Sequence, residues 1–273
     1  MDTQLLIPIV TLGVLGLLFG LGLAFASTKF HVEVDPKLEK INTLLPGANC
    51  GACGQPGCFG FAESLLTKNG DVDKCRVCGE TNKEQIAKLL GKKLEKKAKL
   101  TARLRCNGGK KVKDKFVYSQ IPDCVAANLV MKGQKECVYG CLGFGTCERV
   151  CPFGAIHMSA EGLPVVDDEK CKACNKCVLA CPKKLFTLAP VASPVYVACS
   201  SHDMGKDVKT VCPVGCISCK LCEKACAFDA IHVIDNLARI DFMKCTSCGK
   251  CVAACPTKAI LIKGKIPATV AAS

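Results

Sequence analysis

The chain has 273 residues, enough for one or two ordinary domains, and 25 of them are cysteine, whereas tryptophan is absent and tyrosine occurs only 3 times. An odd number of thiols cannot pair fully within one chain, and dense disulfides belong mainly to small secreted domains, so bound metal is the favoured use of these cysteines. The formal net charge of +13 counts every thiol as neutral. Each four-thiolate [4Fe–4S] cluster would add about −2, so the basic balance does not predict a nucleic-acid partner.

An uncharged stretch of 22 residues, Leu5 to Ala26, lies near the start of the chain. As a helix it would span about 33 Å, enough to cross the hydrocarbon core of a bilayer. A cleaved signal peptide is the alternative, because Ala24-Phe25-Ala26 resembles a cleavage site. The acidic Asp2 and the length of the apolar run favour an uncleaved, single-pass membrane anchor.

The residues around this stretch predict its orientation and its surroundings. Lys29, Lys37 and Lys40 follow it, so the positive-inside rule predicts a cell-membrane protein whose remaining chain lies on the cytoplasmic side. Gly16 and Gly20 form a GxxxG pattern, which lets another helix approach closely, although glycine is common in membrane helices generally.

A compact cysteine module follows. Glycines between its thiols permit tight turns and close approach of backbone amides to sulfur, and a helix at Phe59–Leu66 is expected to pack against it. The predicted ligands of a single [4Fe–4S] cluster are Cys50, Cys53, Cys58 and Cys75. Zinc is the competing occupant on this spacing, and Cys78 is the alternative to Cys75 as fourth ligand.

The segment from Lys83 to Leu104 is rich in lysine and has apolar residues at helical spacing. This pattern predicts an amphipathic helix packed on the body of the protein. A docking surface for an acidic electron carrier is the alternative.

From Cys137 onward the sequence repeats itself. Cys151-Pro-Phe-Gly-Ala-Ile-His157 matches Cys226-Ala-Phe-Asp-Ala-Ile-His232, and such self-similarity marks a duplicated module. Apolar runs at Ile231–Ile234 and Ile260–Ile262 predict short strands, and short helices are expected after each Cys-Pro.

The strongest motif is Cys245-x2-Cys248-x2-Cys251-x3-Cys255-Pro256, the bacterial ferredoxin run. In such a run three thiols ligate one cluster and the fourth ligates the other. Crossing it with the run that starts at Cys216 predicts two clusters. Their ligands are Cys216, Cys219, Cys222 and Cys255 for one, and Cys226, Cys245, Cys248 and Cys251 for the other.

An upstream copy of the run starts at Cys171 and pairs with a loosened run that starts at Cys137. The same crossing predicts two further clusters. Their ligands are Cys151, Cys171, Cys174 and Cys177 for one, and Cys137, Cys141, Cys147 and Cys181 for the other. Zinc ribbons use separated cysteine pairs, whereas triplets with Cys-Pro tails recur here, so clusters are favoured over zinc.

Five predicted [4Fe–4S] clusters use 20 of the 25 cysteines. The others are Cys78, Cys106, Cys124, Cys199 and Cys212. Buried inert thiols are common in proteins. The last four of these cysteines could instead converge on a sixth cluster, if the ends of the module between them lie together.

With this N-terminal module behind one apolar helix and followed by ferredoxin repeats, the chain resembles the B subunit of the Rnf complex, a membrane ferredoxin:NAD⁺ oxidoreductase. The matching segments include Asn49-Cys-Gly-Ala-Cys-Gly-Gln-Pro-Gly-Cys58 and Cys245 to Lys258, and the resemblance covers nearly the whole chain. The second ferredoxin pair resembles the clostridial-type, cluster-rich form of the family. The resemblance implies soluble ferredoxin as electron donor, flavin-bearing partner subunits in the same membrane complex, and NAD⁺ reduction coupled to Na⁺ or H⁺ translocation.

The sequence gives no sign of a dinucleotide site of its own. No Gly-x-Gly-x-x-Gly follows a predicted strand, and Gly143-Phe-Gly145 lies inside a cysteine run, so the chain is predicted to carry electrons without hydride or flavin chemistry. A membrane-anchored polyferredoxin subunit of a hydrogenase or dehydrogenase is an alternative, which the N-terminal four-cysteine module disfavours. A zinc-stabilised interaction protein is another.

The predicted fold class is α+β, with one transmembrane helix, a small four-cysteine module and tandem two-cluster ferredoxin-like domains. The predicted segments are the anchor at 1–27, the cysteine module at 28–80, the lysine-rich helix and connecting segment at 81–135, the first ferredoxin-like domain at 136–190, a connector at 191–212, the second ferredoxin-like domain at 213–265 and a tail at 266–273.

Overall fold

A computed structural model describes residues 3–30, 35–67, 70–94 and 98–263, so the predicted tail at 266–273 lies outside the described residues. Helix α1 spans Thr3–Lys29. Among the described residues it is the one helix long and apolar enough to cross a membrane, and its span from Ile9 to Lys29 has no buried part. A helix that is apolar all round and uncovered by protein suits a lipid environment.

The N-terminal module is a small helical unit. Its elements are α2 at Pro36–Leu44, α3 at Cys58–Thr67, a 3-10 helix at Val72–Lys74 and α4 at Glu80–Leu90. Asp35 starts α2 by accepting a hydrogen bond of 2.8 Å from the backbone N–H of Lys37. Ile41, Phe61 and Ile86 are almost fully buried and form the core between the helices. The predicted helix at Phe59–Leu66 therefore exists and packs as expected.

The lysine-rich helix is shorter than predicted. It ends at Leu90, because Gly91 adopts a left-handed conformation with φ of +65° that caps its C-terminus. Strand β1 begins ten residues later, at Leu100–Leu104, where the prediction placed the end of the helix. Arg103 and Thr101 are buried in this strand. The helical prediction was wrong for this part, because pairing with a distant strand overrides local propensity.

The remaining elements belong to two similar modules. The first contains α5 at Cys124–Leu129, α6 at Thr146–Arg149, β2 at Ile156–Met158, β3 at Pro164–Val166, α7 at Lys176–Ala180 and β4 at Phe186–Pro190. The second contains β5 at Val195–Val197, α8 at Gly205–Val211, α9 at Leu221–Lys224, β6 at Ile231–Ile234, β7 at Leu237–Ile240, α10 at Lys250–Ala254 and β8 at Ile260–Ile262.

Each module is built on two antiparallel two-stranded ribbons. In the first module β1 pairs with β4 and β2 with β3; in the second β5 pairs with β8 and β6 with β7. The strand that opens each module therefore lies in a segment that the prediction assigned to a connector. By strand pairing, β1 belongs with the first module and β5 with the second.

The strands predicted at 231–234 and 260–262 are confirmed, but the helices expected after each Cys-Pro are not. Helices α6, α7 and α10 end just before the cysteine instead. Each cysteine is followed three positions later by a residue with positive φ, which a helix does not tolerate. These residues are Gly154, Lys184 and Lys258, with φ of 56°, 51° and 53°. Asp229, with φ of 49°, takes the same place after Cys226, which is followed by Ala227.

A partly buried ion network joins the two modules. Asp168, between β3 and α7, accepts hydrogen bonds from Thr101 and Arg103 of β1 at 2.8 and 2.7 Å. Lys263, which follows β8 of the second module, donates to the same carboxylate at 2.8 Å and also to the carbonyl of Val166. Burial raises the pKa of Asp168, but hydrogen bonds from Arg103, Lys263 and Thr101 outweigh it and leave that pKa lowered.

Candidate iron–sulfur sites

The N-terminal module gathers four thiols at the start of α3. Gly51 and Gly54 adopt positive φ of 72° and 83°, so the loop between the first cysteines can turn tightly. The backbone N–H of Cys58 donates to the Asn49 side chain at 2.7 Å, which fixes the end of the loop. Burial raises the pKa of Cys53, and the neighbouring thiolates of Cys75 and Cys50 raise it further. Cys50, Cys53 and Cys75 thus lie close together, and Cys58 packs against the same core as Cys53 and Cys75.

Cys75 and Cys78 are both buried and hydrogen-bonded to each other. The hydrogen bond from Cys78 lowers the pKa of Cys75 to about 6, whereas the pKa of Cys78 is raised. The Cys78 thiol also donates to the carbonyl of Leu44, at 3.9 Å. Cys75 is therefore the thiol of the pair more readily available as a thiolate ligand.

The second ferredoxin-like module brings its eight thiols together in two cavities. One is lined by Cys216, Cys219, Cys222 and Cys255, and the other by Cys226, Cys245, Cys248 and Cys251. Burial raises the pKa of Cys222 to about 11, with further contributions from the thiolates of Cys216, Cys255 and Cys219. In both cavities three thiols come from one run and the fourth from the other, which is the crossed arrangement that the spacing predicts.

The first module has one group of the same kind. Burial raises the pKa of Cys177 to about 12, and the thiolates of Cys171, Cys174 and Cys151 add to the shift. These are the four thiols that the sequence groups at the upstream ferredoxin run. The thiolate of Cys50 also raises the pKa of Cys174, so this group lies beside the N-terminal module.

The other four thiols predicted for the first module are divided between two places. One cavity is lined by Cys124, Cys141, Cys147 and Cys181, so it contains Cys124 but not Cys137. A second cavity, between the modules, is lined by Cys137 together with Cys106, Cys199 and Cys212, and Cys141 lines both cavities. The structure therefore exchanges Cys124 and Cys137 relative to the groups expected from the sequence.

Helix α5 positions Cys124 at the first of these cavities. Asp123 caps the helix by accepting from the N–H groups of Val125 and Ala126, at 2.8 and 3.2 Å. The same carboxylate accepts from the hydroxyl of Thr146 at 2.8 Å, and that hydroxyl accepts from the N–H of Cys124 at 2.9 Å. These bonds tie Cys124 to the start of α6, next to Cys147. No spacing in the sequence reveals this contact, because Cys124 lies outside every cysteine run.

Backbone amides donate to several of the thiols in a repeated pattern. The cysteine before each turn accepts a hydrogen bond from the N–H group four residues later, at 3.3–3.4 Å. The pairs are Cys151 and Ala155, Cys181 and Leu185, Cys226 and Ala230, and Cys255 and Ala259. Such N–H groups favour a charged sulfur, and hydrogen bonds to sulfur are one means by which a protein tunes a cluster.

The thiols are grouped in fours but stand apart within each group. Across the described ranges, no three His, Cys, Asp or Glu side chains are close enough together to hold a single metal ion. Sulfur atoms around one zinc ion lie about 2.3 Å from it, whereas a cubane needs a larger opening between its four ligands. The cavities and their amide donors fit the larger group.

The groups follow one another in a row. Cys53 and Cys171 line one cavity, so the N-terminal group adjoins the first group of the first module. Cys141 lines two neighbouring cavities, and Cys199 accepts a hydrogen bond from the N–H of Cys216 in the next group. Cys222 and Cys251, from the last two groups, pack in the same core. The row runs from the N-terminal module through the first ferredoxin-like module to the second.

Three family models match the chain. An Fe-S cluster module matches residues 45–77, a 4Fe-4S binding domain matches residues 164–185 and a 4Fe-4S dicluster domain matches residues 215–260. The chain is therefore an iron–sulfur protein. The first match includes Cys75 and ends one residue before Cys78.

Relatives match almost the whole chain. The B subunit of the Na⁺-translocating ferredoxin:NAD⁺ oxidoreductase complex of Acetobacterium woodii is 44% identical over 95% of this chain and 78% of its own length. The B subunit of the ion-translocating oxidoreductase complex of Methanosarcina acetivorans is 43% identical over 96% of this chain and 100% of its own. The chain belongs to the Rnf B-subunit family. Its counterpart in the proton-translocating ferredoxin:NAD⁺ oxidoreductase complex of Clostridium ljungdahlii, 44% identical over 95% of this chain and 93% of its own, agrees with this.

Membership of the Rnf B-subunit family confirms the resemblance seen in the sequence. It makes the chain an electron-transfer iron–sulfur subunit associated with a membrane, and the apolar α1 fits that location. It also disfavours the two alternatives from the sequence, a polyferredoxin subunit of a hydrogenase or dehydrogenase and a zinc-stabilised interaction protein.

Proposed function

We propose that this chain receives electrons from a reduced soluble ferredoxin and delivers them to flavin-bearing partner subunits of a membrane-bound Rnf complex. The complex as a whole would oxidise ferredoxin, reduce NAD⁺ and move Na⁺ or H⁺ across the membrane. The names of the Acetobacterium and Clostridium relatives support ferredoxin and NAD⁺ as its substrates. Those two names give different ions, Na⁺ and H⁺, so family membership does not select the ion.

The observation that carries the proposal is the row of thiol groups. It extends from a module that directly follows the membrane helix to a module about 170 residues further along the chain, without a dinucleotide motif between them. A [4Fe–4S] cluster, when bound, supplies reversible one-electron chemistry. The chain's own part is to hold four thiolates around each site, to donate amide hydrogen bonds to sulfur and to exclude bulk water by burial.

Four of the five predicted clusters keep the ligand sets expected from the sequence. The proposed sets are Cys50, Cys53, Cys58 and Cys75; Cys151, Cys171, Cys174 and Cys177; Cys216, Cys219, Cys222 and Cys255; and Cys226, Cys245, Cys248 and Cys251. The grouping of these thiols in the fold and the three matched iron–sulfur families support them.

The proposed location of all these sites is the cytoplasmic side of the membrane. Lys29, at the end of α1, and Lys37 and Lys40 in α2 support this orientation through the positive-inside rule. Protease treatment of sealed inside-out and right-side-out vesicles tests it. We expect digestion of the cluster-bearing part only in the inside-out vesicles; digestion only in the right-side-out ones would reverse the orientation. A mature N-terminus near Ser27 would contradict the anchor itself.

The electron-transfer role is tested with the reconstituted full-length chain in detergent. We expect reduced ferredoxin to bleach its visible absorption at about 400 nm, and NADH without partner subunits to leave that absorption unchanged. A chain that dithionite reduces but ferredoxin does not would overturn the proposed donor. Reduction by NADH alone would contradict the absence of hydride chemistry.

A further inference from the structure

A five-residue motif occurs in both ferredoxin-like modules. It reads Cys137-Val-Tyr-Gly-Cys141 in the first module and Cys212-Pro-Val-Gly-Cys216 in the second. In both copies the glycine N–H donates to the carbonyl of the first cysteine, at 3.0 and 3.3 Å. A Cβ atom added to either glycine would lie 3.4–3.5 Å from the Cβ of that cysteine, so the two turns are packed alike. Cys137 and Cys212 are therefore equivalent residues.

A second pair of cysteines is equivalent in the same way. Cys106 lies two residues beyond β1, and Cys199 lies two residues beyond β5, the corresponding strand of the other module. Arg105, the residue before Cys106, donates its N–H to the carbonyl of Leu185 at 2.8 Å. Ala198, the residue before Cys199, donates its N–H to the carbonyl of Ala259, also at 2.8 Å. Cys106 accepts from the N–H of Cys141 at 3.4 Å, and Cys199 accepts from that of Cys216 at 3.3 Å.

The same register explains why the first module needs Cys124. When Cys141 is placed on Cys216, Cys147 falls on Cys222 and Phe144 falls on Cys219. The backbone supports this register, because the positions on either side of Phe144 and of Cys219 all have positive φ. They are Gly143 and Gly145 in the first module, and Ser218 and Lys220 in the second. The first module thus has phenylalanine where the second has a ligand, and Cys124 lines that cavity instead.

We propose that Cys106, Cys137, Cys199 and Cys212 hold a sixth [4Fe–4S] cluster between the two modules, and that Cys124 replaces Cys137 as a ligand of the neighbouring cluster with Cys141, Cys147 and Cys181. Each module contributes one cysteine that lies two residues after its first strand and one from its Cys-x-x-Gly-Cys motif. The site is consequently pseudo-twofold, and it exists only when both modules are present.

The contacts around the site bring the two modules together at this point. A Cβ atom added to Gly108 would lie 3.7 Å from the sulfurs of both Cys106 and Cys212, so those sulfurs lie within twice that distance of each other. The Ser200 hydroxyl donates to the carbonyl of Arg105 at 2.9 Å across the same cavity. The ring of Tyr139 meets that of His202 edge to face at 5.9 Å.

The thiol count agrees with the proposal. Six groups of four take up 24 of the 25 cysteines and leave only Cys78, which is hydrogen-bonded to Cys75. The site also completes the row of groups, since in the described part of the chain no other four-thiol group takes ligands from both ferredoxin-like modules. The role of the sixth cluster rests on the electron-transfer function proposed above. The iron content of the chain does not depend on that function.

Iron analysis of the reconstituted full-length chain tests both halves of the proposal. We expect about 24 irons per chain, and about 20 after Cys212→Ala. Two double variants separate the ligand groups. Cys137→Ala with Cys212→Ala should again give about 20, because both residues belong to one site, whereas Cys124→Ala with Cys212→Ala should give about 16, because two sites are lost.

The grouping expected from the sequence gives the reverse order for the two double variants and would overturn the exchange of Cys124 and Cys137. About 20 irons in the unaltered chain, unchanged by Cys212→Ala, would show inert thiols, and about one zinc per chain lost with Cys212→Ala would show a zinc site. If an altered site keeps a three-iron cluster, the intensity of the electron paramagnetic resonance signal shows whether one site or two are altered. Val211→Ala, which lines the same cavity without a thiol, is the control and should keep all the iron. A chain that passes these tests but is not reduced by ferredoxin would overturn the proposed donor and leave the sixth site in place.

Discussion

The two ferredoxin-like modules have the same four-strand frame, but the thiols that line their cavities come from different parts of the sequence. The second module takes all eight thiols of its two cavities from its two cysteine runs. The first lacks a thiol at Phe144, and its cavity contains Cys124 from a separate helix. A thiol that lines a cavity can therefore move far along the chain while the cavity stays in place.

The lengths of two loops show where the extra ligand comes from. Residues 107–136 separate Cys106 from Cys137, whereas only residues 200–211 separate Cys199 from Cys212. The longer loop contains α5, and Asp123, Thr146 and Arg149 fasten it to the start of α6. A loop can be lengthened at modest cost in free energy, so a new helix that contributes a thiol is a feasible way to replace a lost one.

The largest expected effect comes from breaking the crossed ligation of the second module. Cys255→Ala should remove the cluster held with Cys216, Cys219 and Cys222, although Cys255 belongs to the sequence run of the other cluster. We expect a loss of about four irons per chain. Anomalous iron density in crystals of the variant identifies the lost site. Density missing beside Cys248 rather than beside Cys219 would contradict crossed ligation.

A thiol introduced at position 144 of the first module tests the proposed register between the two modules. Cys124→Ala should remove the cluster from its cavity, a loss of about four irons per chain. A second change, Phe144→Cys, should restore the iron, because position 144 corresponds to Cys219. Iron content and visible absorption measure both steps. Phe144→Ala in the same background is the matched control and should return nothing. If Phe144→Cys returned no iron either, the proposed register of the two modules would be wrong.

Local sequence patterns were enough to predict the regular parts of this molecule but not its long-range exchanges. Composition and spacing predicted the apolar α1, the strands at Ile231–Ile234 and Ile260–Ile262 and the grouping of the thiols in the second module. The exchange of Cys124 and Cys137 depends on α5 folding back onto α6 across 22 residues, which no spacing encodes. The strand at Leu100–Leu104 was not predicted for a similar reason, since its partner β4 lies more than 80 residues away.

The interface between the modules should depend on Asp168. Asp168→Asn removes the charge that pairs with the buried Arg103, and a buried charge that loses its partner costs about 3 kcal/mol. We expect the free energy of unfolding to fall by that order, with the modules separating more readily, as measured by denaturant unfolding. Glu84→Gln, an exposed position on α4, is the control and should change little.

The same carboxylate gives this stability a defined pH dependence. The pKa of Asp168 is lowered in the folded chain, so its contribution is fully present above the ordinary Asp value of about 4 and is lost as the pH falls through the lowered folded value. The difference in stability between the unaltered chain and Asp168→Asn should therefore be constant near neutral pH and shrink in acid. A difference that grew in acid would contradict this assignment.

The smallest expected effect concerns the anchoring of the extra helix of the first module. Asp123→Ala removes the N-terminal cap of α5 and the acceptor for Thr146 and Arg149, and the loss of such a cap costs about 1 kcal/mol. Because α8, the helix in the corresponding loop of the second module, carries no cysteine, the change should slow iron incorporation at the cavity of Cys124 and leave the second module unaffected. Asp123→Asn, which keeps the capping oxygen, should lie closer to the unaltered chain. Hydrogen exchange over residues 120–130, compared with exchange over 216–226, measures the effect in both modules of one molecule. Equal loosening of the two segments would show that Asp123 supports the whole protein rather than the borrowed ligand.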